Sequence, residues 1–253
     1  MHVLITGASS GIGASIAREL GRHPQNRLTL VARRRERLEA LADELAAETR
    51  IEVRDLSLAP LELSWLEEDR SHFGPVDVLV NNAGVQVVGR THEVDPDAGE
   101  ASLRVNVFSP LRLIRALLPE MVERDSGTIV NIASLAALAP TPYMAYYNAS
   151  KGGLAAASEA LRGELRESGV KVVTVYPGII SETEMATSTE AKYETSRLLG
   201  MQPRGTSAEL ARRIASAIER GDARLIYPPI NTAARWFPGV TRWLVDRFTP
   251  PLR

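Results

Sequence analysis

Short apolar runs alternate along the chain with longer stretches in which apolar residues return every three or four positions. Residues 3–6, 28–32, 51–53, 76–80, 128–132, 170–176 and 224–227 read as strands. Between them, residues 12–22, 34–48, 59–69, 97–124, 145–167 and 207–219 read as helices, with Leu38, Leu41 and Leu45 on one face of the second. Pro110 marks a kink or a junction in the longest of these. The strands lack polar alternation, as strands buried on both faces do, and this β–α rhythm builds a parallel sheet with helices on both faces. The expectation is an α/β protein: a single domain over residues 1–253 around a doubly wound, Rossmann-type sheet of about seven strands. Two segments break the rhythm. Residues 177–204 are long for a connection, and the part from 181 to 204 reads as a lid over a bound substrate. Residues 228–253 form a tail rich in proline and aromatics.

Composition narrows the function classes. A chain of 253 residues can bury a substantial core. Its 30 basic and 31 acidic side chains give a net charge of −1, so no basic field points to nucleic acid. The absence of cysteine excludes disulfides, cysteine-ligated zinc and thiol catalysis. No run approaches the roughly 18–20 apolar residues of a membrane span. The first residues, Met1-His2-Val3-Leu4-Ile5, lack the basic region and cleavage site of a signal peptide, so a cytoplasmic location is expected. His2, His23, His72 and His92 are scattered without metal-ligand spacing and read as surface or packing residues, with no metal site.

The first strand runs into Thr6-Gly7-Ala8-Ser9-Ser10-Gly11-Ile12-Gly13 and then a helix. Glycines allow a tight turn and a close approach of a pyrophosphate to the backbone, and the helix N-terminus offers free N–H groups and a positive dipole end. The spacing is G-x-x-x-G-x-G rather than G-x-G-x-x-G, and a glycine-rich turn without a ligand is the competing reading. The second strand ends Ala32-Arg33-Arg34-Arg35. An NAD site places an acid there for the ribose hydroxyls, whereas arginine accommodates the 2′-phosphate of NADP. The arginines favour NADP(H), against the alternative of a solvated basic turn.

Tyr147 and Lys151 stand at i and i+4 of a predicted helix and therefore share a face. A phenol of pKa near 10 exchanges protons poorly at neutral pH, and a neighbouring ammonium favours the phenolate, so the pair suits proton exchange with a carbonyl or alcohol. The Y-x-x-x-K spacing alone is weak, since a tyrosine packed on a lysine stem produces it too. Ser134 after the fifth strand, Asn81-Asn82-Ala83-Gly84 after the fourth and Asn106 in the following helix add to it. In a parallel sheet the C-terminal strand ends form one ligand crevice, which brings Gly7–Gly13, Asn81–Gly84, Ser134 and Pro177-Gly178 to one rim.

With these motifs in order, residues 2–227 resemble the short-chain dehydrogenase/reductase family. The resemblance implies an NADP(H)-dependent, nucleotide-binding oxidoreductase acting on a small carbonyl or secondary alcohol. It implies Asn106, Ser134, Tyr147 and Lys151 as the catalytic set. Ser134 would bind the substrate oxygen, Tyr147 would move the proton, Lys151 would also hold the nicotinamide ribose, and Asn106 would support a water-linked proton path. The cofactor residues it implies are Gly7, Ser9, Ser10, Gly11, Ile12, Gly13, Arg33, Arg34, Asp55, Leu56, Asn82, Ala83, Gly84, Tyr147, Lys151, Pro177, Gly178 and Ile180. Asp55 and Leu56 would meet the adenine, and Ile180 the nicotinamide amide. Where the family often has threonine five residues beyond the proline, this chain has Glu182, with Thr183 one position later. Thr183 is carried over on that footing, with either an inserted residue or a different amide contact.

Tyr146 lacks a lysine at i+4 and reads as a packing or substrate-side residue, while Tyr143 and Met144 line the pocket or pack in a loop. The tail carries Trp236, Phe237, Trp243 and Phe248 beside Arg235, Arg242, Arg247 and Arg253. It covers the substrate pocket, packs on a partner subunit or lies on a membrane surface. The family resemblance implies a homo-dimer or homo-tetramer joined through residues 97–124 and 145–167. The competing functional class is a catalytically silent NADP(H) sensor or scaffold, which would have little reason to keep all four catalytic positions.

Overall fold

The computed structural model describes residues 1–193 and 203–252. Seven strands form one parallel sheet: β1 (His2–Thr6), β2 (Arg27–Ala32), β3 (Glu48–Val53), β4 (Val78–Asn81), β5 (Gly127–Ile132), β6 (Val170–Pro177) and, after two short strands, β9 (Arg224–Tyr227). Their order is β3-β2-β1-β4-β5-β6-β9. The two short strands, β7 (Ile179–Ile180) and β8 (Arg204–Gly205), pair with each other beside the end of β6. The order reverses between β1 and β4, so the chains leaving these two strands diverge and open a crevice at their C-terminal ends.

Helices cover both faces. On one, α1 (Gly11–Leu20), α2 (Arg35–Asp43) and a later helix, Ser207–Arg220, bury Ile16, Leu20, Leu38, Leu41, Leu210 and Ile214 against Val3, Ile5, Leu28 and Leu30. On the other, α3 (Trp65–Phe73), α4 (Pro96–Leu103), α5 (Ser109–Glu123) and α6 (Ala145–Glu164) follow in order, and Trp65, Leu113 and Met121 pack on Leu4, Leu79 and Ile129. With α7 (Glu184–Glu190) numbered between, the helix Ser207–Arg220 is α8, and α9 (Ala233–Trp236) and α10 (Pro238–Phe248) complete the chain. Thr206 caps α8 by accepting from the Glu209 N–H, and Gly221 closes it at φ 69°, a left-handed conformation that glycine adopts without strain. No described helix is long and apolar enough to cross a membrane.

Several boundaries differ from the sequence expectation. The second helix ends at Asp43 rather than residue 48, and β3 starts at Glu48 because its polar residues pair in register with Arg27–Ala32 on an edge strand. Residues 59–64 are not helical. Pro60 disfavours helical backbone at the residue before it, and the Trp65 indole N–H donates to Glu62 O at 3.1 Å, so the helix begins at the tryptophan. The expected helix 97–124 is α4, a π-helical turn at Arg104–Phe108, and α5. Pro110 falls at that junction, in the first turn of α5, where its missing N–H costs little. His2 is a packing residue, buried with ring nitrogens 3.0 Å from Thr29 Oγ1 and Gly74 O.

Ile214 is fully buried where α8 meets the sheet. Ile214→Ala should destabilise the protein by about 2–5 kcal/mol in urea unfolding, the cost of a cavity at a site that cannot collapse. A loss below about 1 kcal/mol would show that α8 is not docked on the core.

Candidate active site

A cavity of about 1020 Å³ opens along the C-terminal ends of the central strands. Its floor at β1 is the glycine loop. Gly7 and Gly11 have φ of 67° and 55°, conformations costly for any residue with a Cβ. A Cβ on Gly13 would stand 2.3 Å from Gly7 O and 2.4 Å from Asn82 Nδ2. Ser10 starts α1 without capping it through its side chain, so the first-turn N–H groups keep their donor capacity at the helix N-terminus. The loop after β4 is fixed to this one. Thr6 Oγ1 accepts from the N–H groups of Asn82 and Ala83, both at 3.0 Å, and Asn82 Nδ2 donates to Thr6 O at 2.9 Å.

At the β2 end, Arg33 and Arg34 are exposed on the cavity wall. The Arg34 guanidinium donates to Ser10 Oγ at 2.8 Å and Ser9 Oγ at 3.2 Å. Burial pushes the Asp55 carboxyl up, but hydrogen bonds from the Ser57 N–H and hydroxyl and the charge of Arg33 outweigh it, so Asp55 lies below the usual range. Leu56 is buried beside it, its carbonyl accepting from Ser109 Oγ at 2.5 Å.

At the β5 end, Ser134, Tyr147 and Lys151 meet on one wall. Tyr147 and Lys151 are 7% and 4% exposed, low enough for desolvation to govern both. Burial raises the Tyr147 phenol, and a hydrogen bond with the Ser134 hydroxyl partly counters that. Lys151 Nζ donates to Ile132 O at 2.8 Å, and burial brings its ammonium down to about 8. The expected lowering of Tyr147 by Lys151 is thus not what dominates here: the ammonium is bound to a backbone carbonyl, and desolvation decides both groups. Asn106 stands fully buried in the π-helical turn. Its Oδ1 accepts from Val85 N at 2.9 Å, and its Nδ2 donates to Val85 O at 2.8 Å and Ser150 Oγ at 2.9 Å. The extra residue of a π turn aims this side chain inward, where it clamps the backbone just beyond Gly84.

The short chain dehydrogenase family profile matches residues 1–194. The chain belongs to the short-chain dehydrogenase/reductase family. It is 33% identical to a fatty acyl-CoA reductase of Mycobacterium tuberculosis over 255 residues, 96% of this chain and 82% of that protein. It is 34% identical to the ketoacyl reductase HetN of Nostoc sp. over 231 residues, 88% of this chain and 77% of that one. Among solved structures, a short-chain dehydrogenase from Sphingobium yanoikuyae in complex with NADPH superposes with a TM-score of 0.80 at 31% identity, covering 97% of this chain and 95% of that chain.

In this short-chain dehydrogenase, the residues placed at the site by its sequence motifs lie on the cavity wall, apart from the buried Ala8 and Asn81, Gly13, which packs beneath the glycine loop, and Asn106, which works from behind the wall. Gly178 N donates to Tyr227 O at 2.7 Å, turning the chain from β6 across the end of β9. Ile180 is buried in β7, and Thr183 caps α7, accepting from Ala186 N at 3.2 Å while donating to Ile180 O. Tyr146 packs away from the cavity: a Cβ on Gly99 would come 2.5 Å from its ring. Met144 lines the cavity, whereas Tyr143 is not on its wall; it takes a φ of 67° and packs edge-on to Tyr193, with ring centroids 6.2 Å apart.

Gln86, which no motif singled out, and residues of the expected lid and tail complete the wall. Gln86 and Thr189 line it, Tyr193 packs in one cluster with Tyr147 and Met144, and Ala234, Leu244 and Phe248 of the tail border it. One face of α10 therefore borders the pocket, but Leu244 and Phe248 stay exposed, as do Trp236, Phe237 and Trp243. A clear amphipathic period in residues 238–248 was the available sequence feature. Leu198, Leu199 and Met201 of the expected lid, with the rest of residues 194–202, and Arg253 of the tail lie outside the described residues.

Lys151 generates a pH-dependent stability. Its folded pKa of about 8 lies below the ordinary 10.5, so between these values the unfolded chain holds a proton that the folded chain has released. Its contribution to stability is therefore poorest below about pH 8 and improves as pH rises towards 10.5. The unfolding free energy of wild type minus that of Lys151→Met should rise over this window by up to about 3 kcal/mol. A difference independent of pH would contradict a desolvated Lys151.

Proposed function

We propose that the protein is an NADP(H)-dependent oxidoreductase that moves hydride between the cofactor and a neutral, apolar ketone, aldehyde or secondary alcohol, with Tyr147 as the general acid and base. The observation that carries this reading is the convergence of Tyr147, Ser134 and Lys151 in one cavity with two chemically distinct halves. One half is the glycine loop with arginines beyond it. The other is lined by Met144, Met185, Leu244, Val245 and Phe248, with uncharged polar groups from Gln86, Thr141, Thr189 and Asn231 among them. Among the described residues, the charged side chains on the wall other than Lys151 are Arg33, Arg34, Arg54, Asp55 and Glu184, all near the β2 and β3 ends. A neutral substrate suits the remainder.

The residues fit a dinucleotide. The turn leaves a cradle that a Cβ at Gly13 would obstruct, the α1 N-terminus offers N–H donors to a pyrophosphate, and Arg33 and Arg34 offer forked donors to a 2′-phosphate. The relative solved with NADPH supports the same choice. Asp55 and Leu56 would meet the adenine, Asn82–Gly84 the ribose side, and Lys151, Pro177, Gly178, Ile180 and Thr183 the nicotinamide half. When bound, NADP(H) supplies or accepts the hydride.

The chain's own residues handle the oxygen. In reduction, the Ser134 hydroxyl donates a hydrogen bond to the substrate carbonyl oxygen, and Tyr147 gives that oxygen its phenolic proton. Burial keeps the phenol protonated at neutral pH, which suits it as an acid. Lys151 is anchored on Ile132 O and directs its remaining N–H groups into the cavity, where positive charge favours the phenolate left after transfer. Asn106 positions the Asn82–Val85 backbone. The lid expected at residues 181–204, of which 181–193 and 203–204 are described, and the tail belong to one catalytic domain and limit water at the site of transfer. Exposed Phe108, Leu111 and Val122 along the α4–α5 rod support pairing of two copies there.

Tyr147→Phe keeps the ring and removes the exchangeable proton. NADPH-dependent turnover of an apolar ketone should fall by about 10²–10⁴-fold, while the variant still binds NADPH. Near-normal turnover by the variant would remove Tyr147 from the mechanism.

A further inference from the structure

The turn after β2 carries Arg33, Arg34, Arg35 and Arg37 within five positions. Across the cavity mouth from it stands Glu184, the first residue of α7 and distant in sequence. Its Oε1 accepts from Arg37 Nη1 at 2.6 Å and its Oε2 from Arg34 Nη1 at 3.2 Å. The same Arg34 guanidinium reaches Ser9 and Ser10 on the glycine loop through its other nitrogens. A carboxylate therefore already engages Arg34, one of the two arginines to which the functional reading assigns the cofactor's 2′-phosphate, and Arg37 holds it there. The two guanidiniums hold Glu184 ionised below the ordinary glutamate range.

We propose that Glu184 is a cofactor-selectivity residue: held by Arg37, it competes with the 2′-phosphate for Arg34, and so lowers the affinity for NADP(H) without touching that for NAD(H). This inference rests on the assignment of NADP(H) to the cavity. Arginine makes its strongest contacts through paired donors to one planar or tetrahedral anion. With Glu184 on one edge of Arg34 and on Arg37, an arriving phosphate either displaces the carboxylate or binds beside it as a like charge. Both cost affinity, and neither arises with a ribose carrying a free 2′-hydroxyl. The groups are 42%, 49% and 63% exposed, so solvent screens the effect and keeps it to that of a surface ion pair.

The same geometry allows a different role, in which Glu184 props Arg34 in place for the phosphate. The two roles have opposite signs. The test is calorimetric titration of wild type and Glu184→Gln with NADPH, NADH, 2′,5′-ADP and 5′-AMP, which needs no turnover. Glu184→Gln should lower the dissociation constants of NADPH and 2′,5′-ADP by about three- to tenfold, leave NADH and 5′-AMP within about twofold, and show a smaller gain at high salt. Weaker binding of NADPH by the variant, no change, or an equal change for all four ligands would overturn the proposal while leaving the cofactor assignment in place. A wild type that binds neither NADPH nor 2′,5′-ADP would overturn both.

Discussion

The hydroxyl of Thr6 holds together the two loops on which the rest of the site is built. It accepts from the N–H groups of Asn82 and Ala83 and donates to Val80 O, so the chains leaving β1 and β4 part from one fixed point. The reversal of strand order makes a crevice possible there, and this buried cross-link gives it a defined shape. The Asn82 amide repeats the tie through Thr6 O and Gly7 O, and Asn106 extends it by clamping Val85. Asn81 carries it sideways, donating to Asn131 Oδ1, while Asn131 donates to Ser158 Oγ on α6. Glycine loop, sheet and the helix bearing Tyr147 are thus joined by side-chain amides and hydroxyls, in which the buried Asn81 Oδ1 alone of the amide atoms named here has no partner.

Desolvation sets the electrostatics of the deep end. Tyr147 and Lys151 lie on the cavity wall with little solvent contact, which favours their uncharged forms. Such a pair can exchange a proton with a substrate oxygen without first shedding ordered water. The opposite end is wet and strongly charged, with arginines facing Asp55 and Glu184. One cavity therefore grades from a screened ionic mouth to an apolar interior, matching a ligand with phosphates at one end and a neutral carbonyl at the other.

Much of this was legible in the sequence, for reasons particular to each element. β1, β2, β5 and β6 are apolar runs because both faces of a central strand are buried, and their rims carry the motifs. The turn at residues 6–13 was readable because only glycine tolerates its φ values and close approaches. The edge strand β3 begins earlier than its apolar core suggests, because Glu48, Thr49 and Arg50 are held by backbone pairing rather than burial. The π turn at Asn106 has no mark in hydrophobic periodicity. The tail's contribution to the pocket depends on how α9 and α10 fold back over β6 and β9, and Glu184 meets Arg34 and Arg37 only through a contact distant in sequence. Neither is a local property of the chain. The mutual influence of Tyr147 and Lys151 was also misjudged from spacing alone, since i and i+4 say nothing about solvent.

The central claim is that hydride and proton meet a neutral carbonyl inside this one cavity. The direct measurement is to follow the label from NADPH deuterated at C4 during reduction of a neutral apolar ketone, with the alcohol analysed by mass spectrometry and NMR. The account predicts deuterium bound to the carbinol carbon, from one face of the nicotinamide, in one-to-one ratio with NADPH consumed. NADPH that binds but yields no alcohol, or an alcohol without deuterium at that carbon, would contradict it.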